Sequence, residues 1–146
     1  MKISTKGRYG LRALVDMAAN SKDGPISLIQ TAQRQDISLN YLEQVFGVLR
    51  KSGIVLSVKG AGGGYKLARS AEEITVREVL EALEGEFSII DKTGDEEKDP
   101  VQKAIQVLVW DEIDKKVNHF LENRSLAQLV HEYKENLDYN SNMYYI

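Results

Sequence analysis

Side chains of the kind that read base edges occur together around residue 40. Asn and Gln can pair with adenine, and Glu can accept a hydrogen bond from the cytosine amino group. The chain places these types at Asn40, Glu43 and Gln44. Apolar residues recur between them at helical spacing, so the three polar side chains would share the outer face of a helix. This face could read DNA; the alternative is an ordinary solvated helix face.

A glycine-rich stretch follows at residues 60–64, directly after Lys59. Glycine lets a backbone take positive φ and approach another surface closely. A phosphate-binding P-loop would need a helix after its Gly-Lys pair, whereas the residues here, 65–67, resemble a strand. The stretch therefore favours a β-hairpin wing on DNA over a nucleotide site.

Charge is divided unevenly along the chain. Residues 1–70 hold 11 Lys and Arg against 4 Asp and Glu, a balance of +7, while residues 71–146 carry −10. Such an asymmetry suggests a basic module for a polyanion joined to an acidic part with another task. Solvation of a protein face by Lys and Arg is the alternative. Four cations at the start of the first helix could neutralise phosphates, namely Lys2, Lys6, Arg8 and Arg12.

Start and stop residues predict six helices and one hairpin. Ser4, Ser27 and Ser38 are N-caps, Thr75 opens a capping box, and Asp99 precedes a proline at the first helical position. The first helix should end near residues 23–25, and the second and third, near 35 and 52, form a helix-turn-helix. A last short helix over 125–130 should lead into a flexible polar tail at 136–142.

This order predicts a mainly α chain with a small β-hairpin. The expected architecture is a winged helix-turn-helix domain at 1–85, an acidic loop at 86–99, and a C-terminal part at 100–146. The long helix at 100–122 carries an apolar stripe broad enough to face its own domain and a second subunit. The stripe residues expected to form the dimer are Ile105, Leu108, Trp110, Ile113, Val117 and Phe120.

Composition excludes several chemistries. The chain has no cysteine, so it offers no disulfide, no thiolate nucleophile and no cysteine-ligated zinc or iron–sulfur site. His119 and His131 stand without spaced partners, and no catalytic constellation is evident, so we expect no enzyme. The acidic residues of 91–99 are more typical of a solvated loop than of a metal site. We expect no cofactor, and a cytoplasmic protein without membrane span or signal peptide.

Three segments in order, 2–10, 37–44 and 59–67, resemble the Rrf2 family of bacterial winged-helix regulators. The resemblance spans essentially the whole chain. It implies a homodimer on an imperfect palindrome, base contacts near Ser38, Tyr41 and Glu43, and phosphate contacts from the N-terminal segment. It also implies a wing residue in the minor groove. Lys59 stands where arginine is usual, which favours a different or looser site preference.

Many members of that family bind an iron–sulfur cluster through three cysteines before the long helix, and this chain lacks them. Its first residues and its end, Tyr144, Tyr145 and Ile146, resemble the branch that represses cysteine metabolism. That branch implies O-acetylserine sulfhydrylase as a protein corepressor, which would grip the C-terminal isoleucine carboxylate. Alternatively, the aromatic end folds back on the dimer.

The sequence thus predicts a DNA-binding transcription regulator and not an enzyme. One alternative is a winged-helix protein–protein adaptor without DNA binding; another is a cluster- or small-molecule-sensing regulator of a different pathway. The residues expected at DNA are Lys2, Thr5, Lys6, Arg8, Tyr9, Ser27, Ser38, Asn40, Tyr41, Glu43, Gln44, Lys51, Lys59, Gly60, Ala61 and Gly62.

Overall fold

Helices and one β-hairpin make up the computed structural model, which describes residues 2–91 and 99–143. The mainly α fold class is confirmed. The helices are α1 (Thr5–Ala19), α2 (Leu28–Gln35), α3 (Leu39–Lys51), α4 (Val76–Glu84), α5 (Pro100–Ile105), α6 (Asp111–Glu122) and α7 (Leu126–Met143). The hairpin pairs β1 (Val55–Val58) with β2 (Gly64–Leu67) in antiparallel register. None of the described helices is long and apolar enough to cross a bilayer.

Local capping explains where most helices begin. The hydroxyl oxygens of Ser4, Ser27 and Ser38 accept backbone N–H groups of the first turns of α1, α2 and α3. Thr75 and Glu78 form the predicted capping box of α4, with each side chain accepting the other residue's backbone N–H. These contacts satisfy N–H groups that have no partner within a helix. The predicted starts are therefore confirmed.

One core joins α1, α2, α3, α4, the hairpin and the start of α7. Its largest members, each less than 2 % exposed, are Phe46, Leu14, Met17, Leu42, Leu49, Ile54, Ile74 and Leu126. Ile37 lies buried in the turn between α2 and α3. The winged domain is thus held by apolar burial, the dominant stabilising contribution in small domains.

Two helix boundaries differ from the prediction. α1 ends at Ala19 with Asn20 as its cap, because the Asn20 backbone and side-chain N–H groups both donate to the Asp16 carbonyl. The last helix was expected to be short, but α7 continues to Met143. The prediction of a flexible tail at 136–142 was therefore wrong. Leu126 is buried and Tyr133 packs near α1. Once a helix is nucleated in this way, each added residue gains a hydrogen bond at little cost.

The long helix is continuous from Pro100 to Glu122 but contains a π-helical segment at Gln106–Trp110. There the Asp111 N–H donates to the Gln106 carbonyl, five residues back, and the Gln106 side-chain amide donates to the Asp111 carboxylate at 2.7 Å. π-helical turns are rare in proteins and usually occur as single turns inside α-helices. The sequence pattern did not predict this π-helical turn.

Backbone pairing attaches the C-terminal helices to the winged domain. Val76 N–H donates to the Arg124 carbonyl, and Leu126 N–H donates to the Ile74 carbonyl, each at 2.8 Å. α6 packs on α4, and α7 packs on α1. No residue of α5 or the π segment is buried, and Leu108 is 74 % exposed. The amino-terminal half of the long helix therefore presents apolar side chains that the described part of the chain leaves uncovered.

Candidate nucleic-acid interface

Helix α3 has one buried face and one free face. Leu42, Val45, Phe46 and Leu49 are at most 1 % exposed. On the other face Asn40, Glu43 and Gln44 are exposed, as the sequence predicted for this helix. The two faces follow directly from the helical spacing of apolar residues.

Ser38 and Tyr41 form the amino-terminal end of α3. The Ser38 Oγ accepts the Tyr41 N–H at 3.1 Å, and the serine side chain is exposed. A hydroxyl that accepts one bond keeps its own O–H as a donor. Tyr41 is half-buried because its ring meets that of Tyr9 edge to face, with centroids 6.1 Å apart. This end of α3 thus offers a free donor beside a fixed aromatic ring.

Gly47 and Lys51 lie further along α3. A Cβ added at Gly47 would meet nothing within 4 Å, so none of the described residues approaches this glycine closely. The position is open to an outside partner, and no contact within the described residues explains the glycine. Lys51 is exposed at the carboxyl end of the helix.

The wing is a tight hairpin whose tip stands free. Lys59, Gly60, Ala61 and Gly62 are all exposed. Gly60 has φ +106°, a conformation that residues with a Cβ rarely adopt, and its carbonyl accepts the Gly63 N–H at 3.0 Å. A thin tip of this kind with a cation at its root suits contact with a DNA backbone or minor groove.

The root of the wing is fastened to the segment before α2. Ile26 N–H donates to the Tyr65 carbonyl at 2.8 Å, and Tyr65 N–H donates back to the Ile26 carbonyl at 2.9 Å. The Tyr65 ring also meets the buried Phe46 ring of α3 edge to face, with centroids 5.2 Å apart. Through these contacts the wing and α3 take a fixed relative position.

The start of α1 brings the N-terminal cations into place. The Ser4 backbone N–H and hydroxyl both donate to the Glu84 carboxylate, which ties the segment to the end of α4. Lys2, Thr5 and Arg8 are exposed, and Arg8 donates weakly to the Thr5 hydroxyl at 3.3 Å. Lys6 is half-buried. Cations at the start of α1 are therefore free to meet phosphates.

The structure brings several of the predicted residues onto adjoining surfaces. Ser27, Glu43 and Gly63 line one cleft between α2, α3 and the wing. Tyr9 and Tyr41 join the α1 end to the same helix. Lys51 makes no contact that connects it to this cleft among the described residues.

Sequence reasoning missed the polar contacts that hold α1, α2 and α3 together. The Asp16 carboxylate is fully buried and accepts two hydrogen bonds from Arg34 Nε, at 3.0 and 3.1 Å, and one from its Nη2 at 2.7 Å. Gln35 Nε2 donates to the same carboxylate at 3.0 Å. The side-chain hydrogen bond to Asp16 raises the pKa of Arg34. Arg34 and Gln35 lie 18 and 19 residues from Asp16 in the sequence. Their polar side chains were the only signal of this network in the sequence.

Two predicted features fall outside the described residues. Tyr144, Tyr145 and Ile146 follow the last described residue, and most of the acidic loop, at 92–98, lies in the gap. In the described ranges, no three His, Cys, Asp or Glu side chains group so as to hold a metal ion.

A family model described as "Rrf2: Iron-dependent Transcriptional regulator" matches residues 3–132. A curated relative, the HTH-type transcriptional regulator IscR of Pectobacterium carotovorum, is 40 % identical over 138 residues, covering 94 % of this chain and 84 % of its own. Both the family model and this relative cover the winged domain and the long helix together.

Two solved structures have a similar fold. CymR, titled the global cysteine regulator of B. subtilis, superposes with a TM-score of 0.78 at 36 % identity, covering 90 % of this chain and 98 % of its own. The IscR of T. potens has a TM-score of 0.73 at 38 % identity, covering 93 % and 90 %. Since the identities exceed a third in both cases, the likeness extends beyond the fold.

The iron dependence named in the family description raises the question of which side chains of this chain could hold iron. Iron–sulfur clusters are held by cysteine thiolates, with histidine replacing some of them in certain centres. The chain has no cysteine, and its two histidines lie apart on α6 and α7, both exposed. The residues therefore do not fit a thiolate-held cluster.

The seat of the wing gives a prediction. A Cβ added at Gly64, which has φ +155°, would stand 2.3 Å from the Ile26 carbonyl oxygen. We expect Gly64→Ala to lower the free energy of unfolding by about 1–3 kcal/mol, the usual cost of overpacking. Gly62→Ala is the matched control, because nothing lies within 4 Å of its Cβ. Urea denaturation followed by circular dichroism measures both; equal stabilities would contradict the described wing seat.

Proposed function

Since the chain belongs to the Rrf2 family of DNA-binding transcription regulators, which are not enzymes, we propose that it represses transcription as a homodimer on a palindromic operator. The observation that carries this proposal is the uncovered polar face of α3, set between a cationic helix end and a free wing tip. Repression would follow from occlusion of the promoter. The proposal implies a cytoplasmic protein, because the operator lies there.

The side chains divide into base-reading and phosphate-binding roles. Ser38, Tyr41 and Glu43 stand at the amino-terminal end of α3, the part of a recognition helix that meets base edges in a major groove. Asn40 and Gln44 are exposed on the same face. The phosphate- and backbone-binding set comprises Lys2, Thr5, Lys6, Arg8, Tyr9, Ser27, Lys51, Lys59, Gly60, Ala61 and Gly62. Base contacts would set specificity, and phosphate contacts would set orientation and salt dependence.

A gel shift with duplexes selected from a random pool tests DNA binding. We expect affinity to fall steeply with salt, because bound cations displace counterions from the phosphates. Lys59→Gln should reduce the slope of log K against log salt by about 0.9, the contribution of one phosphate contact. Lys134→Gln is the control, since this exposed residue of α7 lies outside the interface. A flat salt response with no enriched duplex would instead support a protein–protein adaptor.

The long helix supports the dimer. Ile105, Leu108 and Phe120 are 40 %, 74 % and 58 % exposed, whereas Ile113 and Val117 are half-buried toward the winged domain. Trp110 is also half-buried. An apolar surface of this extent on a free helix is typical of a protein–protein contact. A dimer built on it would place two recognition helices about 34–36 Å apart, one turn of DNA.

Leu108→Asp tests the dimer without disturbing the protomer, because the side chain is 74 % exposed in it. In a two-fold interface the change occurs twice, so the dimer should weaken by about 3 kcal/mol, on the order of 100-fold. Light scattering after gel filtration gives the mass of each species. Lys115→Gln, an exposed change on α6, should leave the mass unchanged. A dimeric Leu108→Asp protein at nanomolar concentration would place the interface elsewhere.

We extend the proposal to the control of cysteine and sulfur metabolism, with O-acetylserine sulfhydrylase as corepressor. The likeness to the B. subtilis cysteine regulator supports this, as does the lack of cysteines for a cluster. The corepressor would bind Tyr144, Tyr145 and the Ile146 carboxylate. These three residues lie outside the described residues, which end at Met143 of α7.

Deletion of Ile146 tests the corepressor. Because the proposed contact is the terminal isoleucine carboxylate, we expect the truncated protein to lose binding to O-acetylserine sulfhydrylase in calorimetry. Ile146→Val keeps an apolar residue with a terminal carboxylate and should retain most of the affinity. Undiminished binding by the truncated chain would contradict the proposed contact and leave DNA binding untouched.

A further inference from the structure

Arg12 lies one helical turn before the buried Asp16; the residue is exposed, but its guanidinium makes contacts within the chain. Its Nη2 donates to the backbone carbonyl of Gln35 at 2.8 Å and lies 3.5 Å from the Gln35 side-chain oxygen. Gln35 is the last residue of α2, so its carbonyl has no partner within the helix. A guanidinium there satisfies the carbonyl and complements the negative end of the helix dipole.

The same guanidinium also faces an aromatic ring. The Arg12 Cζ lies 5.2 Å from the centroid of the Tyr9 ring, within the range of a cation–π contact. Tyr9 in turn meets Tyr41 edge to face, with an interplanar angle of 81°. Tyr41 belongs to the first turn of α3, where its N–H donates to Ser38. A chain of contacts therefore runs from Arg12 to the end of α3 that carries the base-reading residues.

Arg12 thus contacts one side of the turn that joins α2 to α3 directly and reaches the other side through the Tyr9 ring. Gln35 precedes that turn, and Tyr41 follows it. Asp36, between them, has φ +52°, a conformation that non-glycine residues adopt only when their surroundings favour it. The Gln35 amide is itself held by Asp16, so α1 supports this turn through two residues on successive helical turns.

Arg8 makes a useful contrast on the same helix. Its strongest contact among the described residues is a 3.3 Å hydrogen bond to Thr5, and its Cζ lies 6.0 Å from the Tyr9 centroid. Arg8 can therefore turn to a phosphate at little cost. Arg12 would first have to give up a 2.8 Å bond to a carbonyl that would then lack its partner.

We infer that Arg12 is a specificity-determining positioning residue, which holds the amino-terminal turn of α3 in register with α2 through Gln35 and Tyr9. It acts through these residues and not on a DNA phosphate. The inference rests on the proposed DNA-binding function. It assigns to Arg12 a role different from the phosphate neutralisation expected from its charge.

The experiment compares full-length wild type with Arg12→Gln and Arg12→Lys on two duplexes. One duplex is selected from a random pool by the wild type, and the other is the same sequence scrambled. We expect Arg12→Gln to lose about tenfold in affinity for the selected duplex, the equivalent of one charge-assisted hydrogen bond. Affinity for the scrambled duplex and the salt slope should stay within error of the Lys22→Gln control, which removes the same charge from an exposed site.

Arg12→Lys separates charge from geometry. It keeps the charge but loses the planar fork that meets a carbonyl and a ring together, so it should recover less than half of the lost discrimination. In a Tyr9→Leu background, Arg12→Gln should change the ratio of the two affinities by threefold at most, because the connecting ring is gone. The ring resonances of Tyr41 in the DNA-free protein should shift in Arg12→Gln and not in Lys22→Gln.

If Arg12→Gln lost affinity equally for both duplexes and its salt slope fell by about 0.9, the inference would be overturned in favour of a phosphate contact. The inference would also be overturned if Arg12→Gln kept the wild-type ratio of affinities for the two duplexes and left the Tyr41 ring resonances unshifted. If Arg12→Gln unfolds in urea well before wild type, the Arg12→Lys and Tyr9→Leu proteins carry the test. A wild type that selects no duplex defeats the proposed function, whereas the Tyr41 spectrum still reports on the contact chain.

Discussion

Helix α3 must bury one face in the core and leave the opposite face exposed, and the arrangement of the winged domain follows from this requirement. Its inner face gives the core Leu42, Val45, Phe46 and Leu49, and each such residue contributes about 1.5–3 kcal/mol when buried. A neutral hydrogen bond contributes less, about 0.5–1.5 kcal/mol. The outer face can therefore carry side chains selected for what they bind, because they do not need to hold the helix in place.

The elements around α3 then fix its direction. Two backbone hydrogen bonds seat the wing at Ile26, and the Tyr65 ring ties that seat to Phe46. On the opposite side, the buried Asp16 carboxylate joins α1 to the end of α2. The Asp16 side chain is buried and that of Arg34 is 36 % exposed, and separating them would leave a buried charge uncompensated, so the pair favours this arrangement of α1 and α2. Apolar burial thus supplies most of the stability of the winged domain, and the polar contacts fix the orientation of its helices.

What could be read from the sequence was local, and what was missed was distant or cooperative. Ser4, Ser27, Ser38 and Thr75 predicted their helix starts, because a cap and the groups it satisfies lie within three residues. The outer face of α3 and the wing followed from spacing and glycine content. Arg12 and Gln35, 23 residues apart, become partners only after α1 and α2 pack. The polar residues 136–142 favour a loop by propensity alone, but packing of the earlier turns of α7 on α1 carries the helix to Met143.

The π segment sets the rotational phase between the two halves of the long helix. Leu108 and Ile113 are five residues apart, a step that in a regular α-helix would turn the stripe by about 140°. The wider π turn brings the two halves closer to a common side. Loss of one residue within Gln106–Trp110 would restore α geometry there with the two halves in nearly the same rotational phase, because a π hydrogen bond spans one residue more than an α hydrogen bond. A change of one residue in length can thus be absorbed at this turn while both halves of the helix keep their direction and every residue of the winged core keeps its neighbours.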